Sequence, residues 1–119
     1  MTHISGTQDQ MKAFLSAPIE GPIHMLNLLR FKEDGGSAKY SEYGKAVTPM
    51  LEQRGGKSVY RGKGRMAVIG DEEWDLILII EYPTRDAFQD MVTSDEYQAI
   101  VHLRHDALED SRLVCMQTK

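Results

Sequence analysis

Residues 75–82, DLILIIEY, form a run that is apolar on both parities. Successive side chains of an extended strand point to opposite faces, so Leu76, Leu78 and Ile80 look one way while Ile77 and Ile79 look the other. A strand with one wet face would alternate apolar and polar residues, so this one has to be covered on both sides. Ile23 to Phe31 (IHMLNLLRF) carries a similar signature, with Ile23, Met25, Asn27, Leu29 and Phe31 on one parity and His24, Leu26, Leu28 and Arg30 on the other. At 119 residues the chain is one domain, with about enough helix to cover one face of such a sheet. The other face is therefore expected to meet a second copy of the chain.

The rest of the chain supplies that helix. Thr7 to Ala17 reads as a short helix with Thr7 as its N-cap and Met11, Phe14 and Leu15 on one stripe, ended by Pro18 and Gly21-Pro22. After the first strand, KEDGGS is a loop. Ser37 to Arg54 follows the helical rhythm through Tyr40, Tyr43, Val47, Met50 and Leu51. Pro49 is expected to kink or divide this helix, and Gly55-Gly56 to stop it. Lys57 to Ile69 reads as one long strand in which Gly62 and Gly64 suggest a bulge or sharp bend. The two-faced strand leads to a helix capped by Thr84, with Phe88, Met91 and Val92 inward. A helix capped by Ser94 follows, with Tyr97, Ile100, Val101 and Leu108 as its stripe, and Ser111 to Gln117 closes the chain as a strand.

Residues 1–21 are thus a helical extension, and residues 22–119 run strand, helix, strand, strand, helix, strand. That is an α+β, ferredoxin-like βαββαβ order: a four-stranded antiparallel sheet with the first and third strands central and both helices on one face. The two strands that this order makes central are the two that are apolar on both faces, an agreement between independent levels.

Net charge is −4, from 14 basic and 18 acidic side chains. The basic residues cluster only in RGGKSVYRGKGR (54–65), which reads as an edge strand whose charges discourage edge-to-edge pairing. The acidic total argues against phosphate-driven affinity, so no nucleic-acid partner is expected. The longest apolar run, Leu76 to Ile80, is far short of the ~20 residues of a membrane-spanning helix, and no membrane partner is expected. The start, MTHISGTQDQ, lacks the pattern of a secretory signal. Cys115, the one cysteine, has no internal disulfide partner and reads as a small buried hydrophobe. Together these features lead us to expect a cytoplasmic protein.

MLNLLRFK (25–32), the tyrosine–valine–proline helix ending in two glycines (Tyr43 to Gly56), IEYPTRDAF (80–88) and SDEYQAIVHLR (94–104) resemble domain-of-unknown-function family 1330. That family belongs to the dimeric α+β barrel superfamily, and the resemblance runs from about Pro22 to the C-terminus. It implies a homodimer whose two sheets pack face to face. Other branches of the superfamily include cofactor-independent monooxygenases, isomerases, haem-degrading enzymes and haem peroxidase-like enzymes, an analogy of fold alone.

Asn27 is the first candidate for chemistry, because an amide inside an apolar central strand either braces the backbone or lines a polar spot in a cavity. Haem-degrading and quinone-forming relatives place an asparagine of the first strand toward their pocket, which the resemblance carries to Asn27. Arg61 could clamp an anionic group and orient a substrate, and Asn27 could hold an oxyanion; these two are the candidate catalytic residues. Tyr43, Trp74, Glu81 and His102 are candidate substrate-binding residues. Against these readings, Tyr43 and Trp74 are often core or rim aromatics, and Glu81 could simply pair with a basic residue at the sheet end. His24 has the opposite parity to Asn27 and faces elsewhere. His102, His105 and Asp106 form HxxHD, but a third strong ligand is not evident, so no metal is expected.

The functional expectation is a small-molecule-binding protein with a pocket between helices and sheet, working without a cofactor on a small organic acid or aromatic in an oxygenase- or isomerase-like reaction. One alternative is a non-catalytic dimerisation or regulatory module with a closed helix–sheet interface. The other is a haem-binding protein with His102 as axial ligand, although Met25, Leu29, Tyr97, Ile100 and Val101 are expected to fill the space haem needs.

Overall fold

The computed structural model describes residues 2–119. Its elements are α1 (Gln8–Ser16), β1 (Ile23–Phe31), α2 (Gly36–Gln53), β2 (Lys57–Lys63), β3 (Leu76–Tyr82), α3 (Arg85–Thr93), α4 (Asp95–Ala107) and β4 (Leu108–Met116). The strands form one antiparallel sheet in the order β2-β3-β1-β4, so the two-faced strands β1 and β3 are central.

Local chemistry explains the helix boundaries. Thr7 and Gln10 make a reciprocal capping box at α1. Thr84 accepts from the Ala87 amide at the start of α3, and Ser94 from the Tyr97 amide at the start of α4. Asp95 and Glu96 occupy the first turn of α4 and Arg104 and His105 its last, the charge order that the helix dipole favours. Gly55, at φ 79°, turns the chain out of α2. Pro49 does not divide α2, which runs unbroken from Gly36 to Gln53. Pro49 and Lys45 are both exposed, so the carbonyl that loses its intrahelical partner faces water.

In the sheet, Ile23 pairs with Tyr82, Met25 with Ile80, Asn27 with Leu78 and Leu29 with Leu76. These residues lie under the helices, where Ile23, Met25, Leu29, Leu76, Leu78 and Tyr82 are buried with Tyr40, Tyr43, Val47 and Leu51 of α2. On the opposite face Leu26, Leu28, Ile77 and Ile79 are only half-buried, flanked by exposed Tyr60 and Val114.

Two strand limits differ from the sequence reading. β2 ends at Lys63 instead of reaching Ile69. At Gly64 the backbone passes so close to Trp74 that a Cβ would collide with the Trp74 carbonyl oxygen, and the Gly64 amide donates to the Asp75 carbonyl at 3.1 Å. The chain there leaves the ladder, and the loop beyond carries Met66, Val68 and Ile69 at 77%, 90% and 95% exposure. β4 starts at Leu108, which is fully buried in the sheet and not on the α4 stripe.

The N-terminal segment is stitched to the rest. Phe14 meets Phe88 edge to face at 5.9 Å, and Arg85 donates to the Phe14 and Ala17 carbonyls. Ahead of α1, the His3 amide donates to Asp110 and Arg104 donates to the Ile4 carbonyl.

Candidate functional site

Asn27 has Leu78 as its neighbour on β3 and Leu113 on β4. Next to Leu78, on the edge strand, stands Arg61. A slip in register brings it there: Ser58 pairs with Ile80 but Tyr60 with Ile79, so Val59 is the extra residue of a bulge. Unbroken alternation from Ser58 would have turned Arg61 to the other face. With the bulge, Arg61, Leu78, Asn27 and Leu113 form one row across the sheet beneath the helices.

Above this row α2, α3 and α4 do not close on the sheet. A cavity of about 1090 Å³, open to solvent, lies between them, and the segment from His3 to Phe14 lines part of its wall. α2 presents Tyr40, Tyr43 and Val47 to it, and α4 presents Tyr97, Val101 and Arg104, each set spaced along one helical stripe. Gly44 also borders the space, and a Cβ built on it would touch nothing within 4 Å.

The tyrosines set the electrostatic character. Tyr43 Oη lies 2.8 Å from Tyr97 Oη, with the rings edge to face at 6.2 Å. Burial pushes the Tyr40 hydroxyl up to about 12, an effect that Arg104 and Arg61 partly oppose. Burial raises Tyr43 further, helped by Tyr97, and raises Tyr82 as well. These three phenols therefore stay neutral at ordinary pH and act as hydrogen-bond donors and acceptors.

Asn27 Nδ2 donates to the Met25 carbonyl at 3.1 Å. That uses one of its two amide protons and leaves its oxygen and second proton without a bond to a described residue. Gln89 Oε1, on α3, is buried at the cavity wall with no partner among the described residues. Arg104 is held by the Ile4 carbonyl at 2.6 Å and by Ser111 Oγ at 3.4 Å. Arg61 is exposed and makes no hydrogen bond or ion pair with a described residue. Among described acidic side chains, only Glu52 borders the cavity.

Three of the six residues singled out from sequence therefore meet here: Asn27, Arg61 and Tyr43. The other three lie elsewhere. Glu81 has the parity of Ile77 and Ile79 and sits on the opposite face, 3.0 Å from His24 and 3.5 Å from Lys57. Trp74 is also on that face, with the guanidinium carbons of Arg30 and Arg112 at 5.7 and 5.1 Å from its ring centroid. His102 is one position past Val101, about 100° further round α4, and it is exposed outside the cavity. The expected filling of the cleft by bulky side chains does not occur, because Leu29 is buried away from the cavity while the smaller Asn27 and Gly44 line it. Sequence reasoning did not single out Tyr40, Arg104 and Gln89 for this site. Arg104 was within reach, being seven residues after Tyr97 and so on the same stripe. Among the described residues, no group of three or more His, Cys, Asp or Glu could hold a metal ion.

The sequence profile of DUF1330, a domain of unknown function, matches residues 34–118. Among solved structures, RPA0582 from Rhodopseudomonas palustris, a protein of unknown function, is 37% identical, with a TM-score of 0.92 over 100% of this chain and 98% of its own. A dimeric protein of unknown function with a ferredoxin-like fold from Bacteroides fragilis is 15% identical, with a TM-score of 0.59 over 82% of this chain and 96% of its own. A candidate antibiotic biosynthesis monooxygenase from Caulobacter crescentus is 12% identical, with a TM-score of 0.62 over 84% of this chain and 92% of its own. The latter two share the fold. No curated protein matches the chain. With its ferredoxin-like sheet and a profile match covering most of its length, the chain belongs to the DUF1330 family.

Proposed function

We propose that this protein is a homodimer that takes up a small organic compound in the helix–sheet cavity of each subunit and acts on it without a cofactor, in an oxygenase- or isomerase-like reaction. The observation that carries this reading is the open cavity of about 1090 Å³ reached by Asn27. A non-catalytic dimerisation module would have a closed, packed interface there. The unused Asn27 N–H and the neutral tyrosine hydroxyls are fixed donors of the kind that stabilise negative charge developing on a ligand oxygen. The haem reading is less favoured, since His102, its intended axial ligand, is exposed outside the cavity. The half-buried apolar face of the sheet and the dimeric description of the Bacteroides fragilis protein support a paired subunit.

Gly44→Phe offers a direct test, because it adds a ring where the cavity wall has open space. A metabolite library screened by thermal shift should yield compounds that stabilise the wild type, by about 2.7 kcal/mol at a hundred times Kd. Gly44→Phe should abolish those shifts while keeping the wild-type circular dichroism. The reading falls if no compound shifts the wild type, or if the shifts survive in the blocked variant. Sedimentation showing only a 13.5 kDa species at micromolar concentration would remove the homodimer from it.

A further inference from the structure

We infer that the cavity selects an organic carboxylate with an apolar, ring-sized body, its carboxylate held by Arg61 at the mouth. This inference rests on the small-molecule reading above and names the class of molecule. The whole chain carries a net charge of −4, yet its cavity is organised the other way. Arg61 and Arg104 both act on the buried Tyr40 hydroxyl, while Glu52 is the one described carboxylate on the lining. A cationic recess in an acidic protein excludes cationic ligands and draws in anions.

The two arginines are not equivalent. Arg104 is occupied by the Ile4 carbonyl and Ser111, so it contributes field more than contact. Arg61 has no partner among the described residues, and its planar fork matches a carboxylate in bidentate fashion. Behind it, Leu78, Ile80, Val47, Met91 and Val101 supply apolar walls for the body of the ligand. A carboxylate at one end and an apolar body thus match the free guanidinium and the apolar walls of this site together.

The test uses three probes of one shape: 2-naphthoate, 2-naphthamide and 2-naphthylmethylamine. Each is titrated calorimetrically into the intact protein and into Arg61→Gln and Arg61→Lys. Because Arg61 is exposed on an edge strand and pairs with no described residue, both variants should fold as the wild type does. The acid should bind the wild type at least about tenfold more tightly than the amide, with the amine weakest. Arg61→Gln should erase the preference for acid over amide, and Arg61→Lys should restore part of it by charge without the fork. Amide or amine binding as tightly as the acid, or a preference that survives Arg61→Gln, would overturn the carboxylate inference while leaving the small-molecule reading standing. Failure of all three probes to bind the wild type would overturn the inference, and the Gly44→Phe library screen then judges the broader reading separately.

Discussion

The Tyr43–Tyr97 hydroxyl pair joins α2 to α4 above the cavity, and its removal should show strong coupling between the two residues. Tyr43→Phe and Tyr97→Phe each keep the ring and its packing, so the hydrophobic contribution is retained. What each loses is the one O–H···O bond of 2.8 Å. A neutral intramolecular bond contributes about 0.5–1.5 kcal/mol net, so each single variant should be destabilised by about 1 kcal/mol. The double variant loses the same bond only once and should also be destabilised by about 1 kcal/mol, giving a coupling of about 1 kcal/mol in the cycle. Urea unfolding followed by Trp74 fluorescence measures this well, since Trp74 is the sole tryptophan and lies on the other face of the sheet. Protein concentration must be held constant across the four proteins, because the apparent stability of the proposed dimer depends on it. If the double variant instead loses about 2 kcal/mol, the sum of the singles, the hydroxyls are bonding to separate partners and the proposed α2–α4 link is wrong.

Two further perturbations probe the scaffold. Gly64→Ala places a Cβ against the Trp74 carbonyl oxygen and threatens the Gly64–Asp75 bond, so it should cost about 2–4 kcal/mol and shift the Trp74 emission; a urea midpoint equal to wild type would contradict the close approach. For Asp110, loss of solvent raises the pKa, but the His3 amide, the Arg112 guanidinium and the Ser111 amide together bring it below the ordinary value. A depressed carboxylate pKa contributes stability that is complete above about pH 4 and is lost as pH falls through the lower folded value. Asp110→Asn should thus be less stable than wild type at pH 7, and the two unfolding curves should converge below about pH 4; a constant difference down to pH 2 would refute this account.

The parts of the fold that were legible in the sequence are those where every local signal agrees. β1 and β3 are apolar on both parities because the helices cover one side and the other side is still half-buried, and no charged edge strand imitates that pattern. Thr7, Thr84 and Ser94 announce helices because their oxygens satisfy otherwise unpaired amides. The limits of β2 were not legible. Met66 to Ile69 is as apolar as a strand, and only the approach of Gly64 to Trp74, ten positions away, takes the chain out of the ladder. The site was half legible for a related reason. Asn27 and Tyr43 sit on regular elements, so parity and helical spacing carry them to the cavity. Which face Arg61 adopts depends on the bulge at Val59, and side-chain type encodes no slip in pairing on a charged edge.

That slip also bears on how such a family can diversify. β2 is an edge strand, so its outer side has no neighbour in the sheet to constrain its pairing. If the edge re-paired without the bulge at the same chain length, Val59 would take Ile79 as its partner, Tyr60 would stand beside Leu78, and Arg61 would move round to the opposite face. The buried residues of β1, β3 and the helices would be untouched. The side chain that β2 sets beneath the helices is therefore decided by pairing register at one peripheral bulge, with no core substitution required.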